Sequence, residues 1–133
     1  MKLTKKLIES IFDECNKVYF GNSVRKPQKI TITHHPNHCG MTYMKRSKDK
    51  SIKMVGLHIS DRFQWTEQWL KNVIIHEMIH LKLYETQKPL NFLTRLFYNP
   101  HGKEFKQMMN ELNDRFGLNI TITFPYITKI EAI

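Results

Sequence analysis

The stretch Val73-Ile74-Ile75-His76-Glu77-Met78-Ile79-His80-Leu81 limits what this chain can fold into more than any other part of it. On a helix, His76, His80 and Glu77 fall at about 0°, 40° and 100°, a single sector, while Ile74, Ile75, Met78, Ile79 and Leu81 fill the rest of the circumference. A helix apolar on nearly every side must be buried. Its polar sector is buried with it, and an unpaired carboxylate in such surroundings is costly or is forced to neutralise, so Glu77 needs a partner. A metal-bound water would be one. The spacing is H-E-x-x-H, which sets two imidazoles about 5–6 Å apart at Cβ, near enough to grip one zinc ion from one helix face. Two other readings compete. The histidines can be packed core residues beside a snorkelling glutamate, or the zinc can be purely structural, with a fourth protein ligand that leaves Glu77 without a role.

A catalytic zinc needs a third protein ligand and one open position. Of the remaining histidines, His101 is the best candidate, because it follows the central helix and Gly102 beside it allows close approach of another backbone. Its alternative is a polar residue in a helix's first turn. Trp69, Val73 and Tyr84 share the histidines' sector and are candidate walls of the site. The Tyr84 hydroxyl is a candidate contact for a developing oxyanion, against a plain packing role for all three.

At 133 residues the chain has room for one domain with a real core, and residues 1–133 read as a single unit. Composition, 41% hydrophobic and 25% charged, excludes a disordered chain. Cys15 and Cys39 are far apart and not in a C-x-x-C arrangement, so reduced thiols are expected. The N-terminal run Met1-Lys2-Leu3-Thr4-Lys5-Lys6 lacks an apolar signal core, so a cytoplasmic protein with no membrane partner is expected, and a monomer. The net charge of +9 is uneven: residues 1–60 carry 12 Lys and Arg against 4 Asp and Glu, while residues 61–133 carry 9 against 8. A basic face and a polyanionic partner follow as one reading, mere solubility as the other.

Residues 4–20 have the spacing of an amphipathic helix with Thr4 as its cap and Gly21 as its stop. Lys29–Thr33 alternates as a strand. His34–Cys39 reads as a turn rather than as a second metal site. Gly40–Met44 and Ile52–Ser60 form the arms of a hairpin whose tip carries Lys45, Arg46, Lys48 and Lys50, candidate phosphate contacts or simply a solubilising tip. Thr66 caps the central helix, which runs to about Tyr84. Residues 88–100 are an apolar, aromatic linker fenced by prolines, with a short helical turn expected in it. A last helix opens at His101-Gly102-Lys103-Glu104-Phe105, buries Phe105, Met108, Met109, Leu112 and Phe116, and stops at Gly117. Asn119–Phe124 alternates as a terminal strand.

Taken in this order, Ile11-Phe12 with Asn16 and Phe20, Pro27, Ile30, Gly40, Leu57-His58-Ile59-Ser60, His76-Glu77-Met78-Ile79-His80 and His101-Gly102-Lys103-Glu104-Phe105 resemble the SprT-like zinc metalloproteases, the family that includes Spartan. The resemblance implies a compact zincin-like α+β domain in which His76, His80 and His101 bind Zn2+ and Glu77 is the catalytic acid and base. It also implies proteolysis of proteins bound or crosslinked to DNA. Two features depart from the family's pattern. No cysteine follows Cys39, so the cysteine-rich ribbon that bacterial members often append is not in this sequence, and the stretch between His80 and His101 is long and aromatic. The chemistry of such a set is that three neutral imidazoles leave zinc its full charge, which lowers the pKa of water toward neutrality. Glu77 takes that water's proton and hands it to the departing amine. A peptidase with no nucleic-acid role, and a non-catalytic nucleic-acid-binding module stabilised by zinc, are the alternatives.

Overall fold

Thr4 accepts a hydrogen bond from the Leu7 amide at 3.1 Å through its hydroxyl and so opens helix α1, Lys5–Phe20, while Gly21 closes it in the left-handed conformation that a side chain would strain. The computed structural model describes residues 1–87, 96 and 98–124. After α1 come strands β1 (Lys29–Thr33), β2 (Gly40–Arg46) and β3 (Ile52–Ser60), then helices α2 (Glu67–Tyr84) and α3 (Lys103–Phe116). The class is α+β, as expected. The short helical turn expected within residues 88–100 lies largely outside the described residues.

Strand order is β1-β3-β2, with β3 parallel to β1 and antiparallel to β2. The longest and most apolar strand is therefore central, and Val55, Leu57 and Ile59 are buried in it. Gly56 leaves room there for the ring of Tyr43 on β2, from which a Cβ would lie 2.2 Å, so a side chain at this position would have to displace that ring. The outer edges of β1 and β2 are free of sheet partners among the described residues.

Helix α2 is surrounded by α1, α3 and β2, which explains why it is apolar all round. Leu70, Val73, Ile74, Ile75, Met78, Ile79 and Leu81 have no exposed surface. Each such side chain contributes roughly 1.5–3 kcal/mol on burial, so packing outweighs the single cap that Thr66 provides to the Trp69 amide. The turn after α1 is fixed by one side chain: Asn16, buried, donates to the Val24 carbonyl and accepts from the Val24 amide, both at 3.0 Å.

The expected terminal strand is not formed. Residues 119–124 are irregular because their backbone is engaged by side chains instead of a neighbouring strand. The Ile120 amide donates to Asn113 Oδ1 at 2.8 Å, the Ile120 carbonyl accepts from Asn113 Nδ2 at 3.0 Å, and the Thr121 carbonyl accepts from His76 Nδ1 at 2.8 Å. Among the described residues no helix is long and apolar enough to cross a membrane.

Cys15 and Cys39 are buried free thiols, as anticipated. Burial, against a smaller opposing effect of Lys71, pushes the Cys15 thiol up to about 12. A thiol whose folded pKa lies above its unfolded value favours the fold fully below the unfolded pKa, and that contribution is lost as pH rises from about 9 toward 12. Urea denaturation across pH 8 to 10.5 is expected to show the wild type losing stability faster than Cys15→Ala, by up to about 1.4 kcal/mol per pH unit. Parallel curves for the two proteins would contradict this reading of Cys15.

Candidate metal centre

A single helical turn separates His76 from His80 and sets both on the same side of α2, and the turn before α3 brings His101 to meet them. Asn99 builds that turn: its side-chain oxygen accepts from the His101 amide at 3.0 Å and its carbonyl from the Gly102 amide at 3.1 Å. A Cβ on residue 102 would stand 3.1 Å from that same carbonyl, the close backbone approach that the glycine was expected to allow.

The Nε2 atom of His101 lies 3.2 Å from Nε2 of His76 and 3.1 Å from Nε2 of His80. A tetrahedral ion bound at about 2.0–2.1 Å per nitrogen holds its donors about 3.3 Å apart, so these spacings fit one cation. The tautomers agree. A carbonyl can only accept, so the bond to Thr121 puts the His76 proton on Nδ1 and leaves Nε2 a bare lone pair. His101 Nε2 carries at most one proton, which cannot make two straight hydrogen bonds to its neighbours, whereas a cation among the three satisfies every lone pair. Burial holds His76 down to about 4 and, with the other two imidazoles adding to it, His80 down to about 3, and it lowers His101 as well. All three rings are therefore neutral at neutral pH, the form in which imidazole binds metal. His76, His80 and His101 together can hold a metal ion.

Glu77, 4% exposed, lines the same cleft and makes no hydrogen bond among the described residues. Burial pushes its carboxyl up to about 8. A nearby cation would draw it back to the ionised state. The first residue of β2 presses on it: a Cβ at Gly40 would lie 2.7 Å from Val73 Cγ1 and 3.3 Å from Glu77 Oε2. Tyr84 also reaches the cleft, its hydroxyl 3.0 Å from Thr42 Oγ1. Val73 lies buried beneath Gly40 and Trp69 faces a different hollow, so neither of these expected walls lines the cleft.

Other residues line the cleft that sequence reasoning did not single out. Ile122, Thr123 and Phe124 form one wall, with the Phe124 ring 4.8 Å from that of His76, and Tyr98, whose hydroxyl donates to Gln87 Oε1 at 3.3 Å, stands on the Tyr84 side. The cleft measures about 660 Å3. A larger groove of about 890 Å3 between α1 and α3 mixes Lys17, Lys82 and Arg115 with Glu111 and Asp114 and brings no ligand atoms together, so the chemistry belongs to the smaller cleft.

The basic tip is separate from the cleft. Lys45, Lys48 and Lys50 are exposed, but Arg46 is committed elsewhere: its guanidinium donates to the carbonyls of Lys50 and Gln87, both at 2.7 Å, and ties the hairpin to the turn after α2. The His34–Cys39 loop is a turn, with His35 Nδ1 accepting from the amides of Asn37 and His38.

A comparison with family models matches the SprT-like family over residues 8–124. The chain belongs to the SprT-like family. No curated protein matches it. The SprT-like family is metal-dependent, and membership together with the three-histidine cluster suggests a metallopeptidase; the α+β fold with that cluster is of zincin type.

One divalent ion per chain is expected to bind, and His101→Ala is expected to weaken that binding at least a hundredfold while α2 stays folded. Chelator competition with the metal-loaded protein measures both. Unaltered affinity in the variant would remove His101 from the centre.

Proposed function

We propose that the chain is a zinc-dependent endopeptidase acting on proteins that are bound or crosslinked to DNA, within a single domain that works as a monomer. The observation that carries the peptidase reading is the meeting of three neutral imidazole nitrogens beside a buried carboxyl on one face of an open cleft. His76, His80 and His101 would hold the ion. Zinc, when bound, supplies a Lewis acid that brings water's pKa toward neutrality and polarises a carbonyl. Glu77 accepts the proton of the attacking water and delivers it to the departing amine. Tyr84, poised by Thr42, turns its hydroxyl to the carbonyl oxygen as charge develops there.

The outer edge of β2 is the natural seat for an extended substrate, because Gly40, Met41, Thr42 and Met44 line the cleft and, among the described residues, no strand pairs with that edge. Further along β2, Lys45 and, in the following turn, Lys48 and Lys50 offer exposed positive charge for a phosphate backbone. The basic first half of the chain supports the same partner. Buried free thiols suit a reducing, cytoplasmic setting. A peptidase indifferent to nucleic acid is the second reading, and one observation favours it: the guanidinium of Arg46 is already spent on two backbone carbonyls.

Glu77→Gln is expected to keep zinc content and folding while lowering peptide cleavage by about 10²–10⁴-fold, the usual share of a general base. Wild-type turnover in that variant would end the proposed mechanism. Cleavage of a basic protein is expected to rise when DNA is added and to fall as salt is raised, and replacing Lys45, Lys48 and Lys50 by Ala should lower the salt slope of DNA binding by about 0.7–0.9 per lysine. Cleavage indifferent to both DNA and salt selects the second reading.

A further inference from the structure

Metal-binding histidines are ordinarily oriented by a hydrogen bond from their second ring nitrogen to a carboxylate or carbonyl. Among the described residues only His76 has one, to Thr121. His80 and His101 nevertheless point their Nε2 atoms to a common place, so something else holds their planes.

One side chain touches all three. The ring of Phe105, in the first turn of α3 and 1% exposed, has its centroid 4.8 Å from that of His76, 4.6 Å from His80 and 4.9 Å from His101. The imidazoles stand 4.9 to 5.1 Å from one another, so the four rings occupy the corners of a nearly regular tetrahedron. Phe105 lies nearest to parallel with His80, at 35°, and edge-on to His101, at 80°, both within the range where ring quadrupoles attract. It does not line the cleft in which the nitrogens meet.

We infer that Phe105 is a positioning residue of the metal centre, a rigid aromatic support that fixes the planes of His80 and His101, which have no orienting hydrogen bond among the described residues. The inference rests on the reading that the three histidines hold zinc. A flat ring limits the rotation of each imidazole packed on it, so the ligands are set before the ion arrives. An aliphatic side chain of similar bulk fills the space without imposing those planes.

The test compares Phe105→Leu with Leu112→Ala, a buried position two turns further along the same helix that lines the groove between α1 and α3 and not the cleft of the three histidines. In chelator competition, Phe105→Leu should bind zinc about 10–100-fold more weakly, the usual cost of losing an outer-shell support, and its cobalt-substituted form should have a shifted, broadened d–d spectrum. Leu112→Ala should lose stability yet keep the wild-type spectrum and an affinity within about twofold, since it lies outside the group of rings. Should Phe105→Leu not fold without metal, Phe105→Met takes its place. If neither folds, the zinc concentration for half-refolding is compared with that of Leu112→Ala, and a higher requirement in the Phe105 variants supports the inference. Unchanged affinity and spectrum in the Phe105 variant, or equal weakening in Leu112→Ala, overturns it alone. Absence of tight zinc binding by the wild type overturns the metal reading, and this inference with it.

Discussion

The structure depends on burying the middle of α2, residues 72–79, while that stretch carries the His76 imidazole and the Glu77 carboxyl, with His80 at its edge. Apolar packing of Ile74, Ile75, Met78 and Ile79 against α1, α3 and β2 fixes where the helix lies. That packing leaves His76 and Glu77 in an environment where neither can be charged without compensation. Burial raises the Glu77 carboxyl and lowers the histidines, so without an ion the whole cluster is neutral. A cation at the three nitrogens is the one addition that satisfies the lone pairs and restores the carboxylate together. The site is thus a consequence of the core and not an ornament on its surface.

Each neighbouring element has a task set by that constraint. The β2 start must be glycine because Val73 and the Glu77 carboxyl fill the space a side chain would take. The turn at Asn99 and Gly102 delivers the third imidazole, and the first turn of α3 delivers the ring that backs all three. The segment after α3 bends toward α2, held by Asn113 at one point and His76 at the next, and closes one wall of the cleft. Arg46 joins the hairpin to Gln87 in the turn that follows α2, so the strand edge and the histidine helix are tied together across the opening.

Much of this was legible in the sequence. Period-3.6 patterning located α1, α2 and α3 with their stops at Gly21 and Gly117, and alternation located β1, β2 and β3, because these signals are local. The H-E-x-x-H spacing and the glycine after His101 identified the cluster for the same reason. What escaped has partners distant in sequence or ambiguous in kind. Asn119–Phe124 alternates like a strand, yet its hydrogen bonds go to Asn113 and to His76, 45 residues from Thr121, which no periodicity reports. Phe105 reads as an ordinary apolar position of an amphipathic helix, since packing on leucine and packing on three imidazoles demand the same residue type. Arg46 looks like its lysine neighbours until its carbonyl partners are seen.

X-ray absorption at the zinc edge of the metal-loaded protein tests the central claim most directly, because it reads the ion's own neighbours. The account predicts a four-atom shell of nitrogen and oxygen at about 2.0–2.1 Å with the outer-shell scattering of three imidazoles. A sulfur scatterer at about 2.3 Å, a fourth imidazole, or no specifically bound zinc would contradict it.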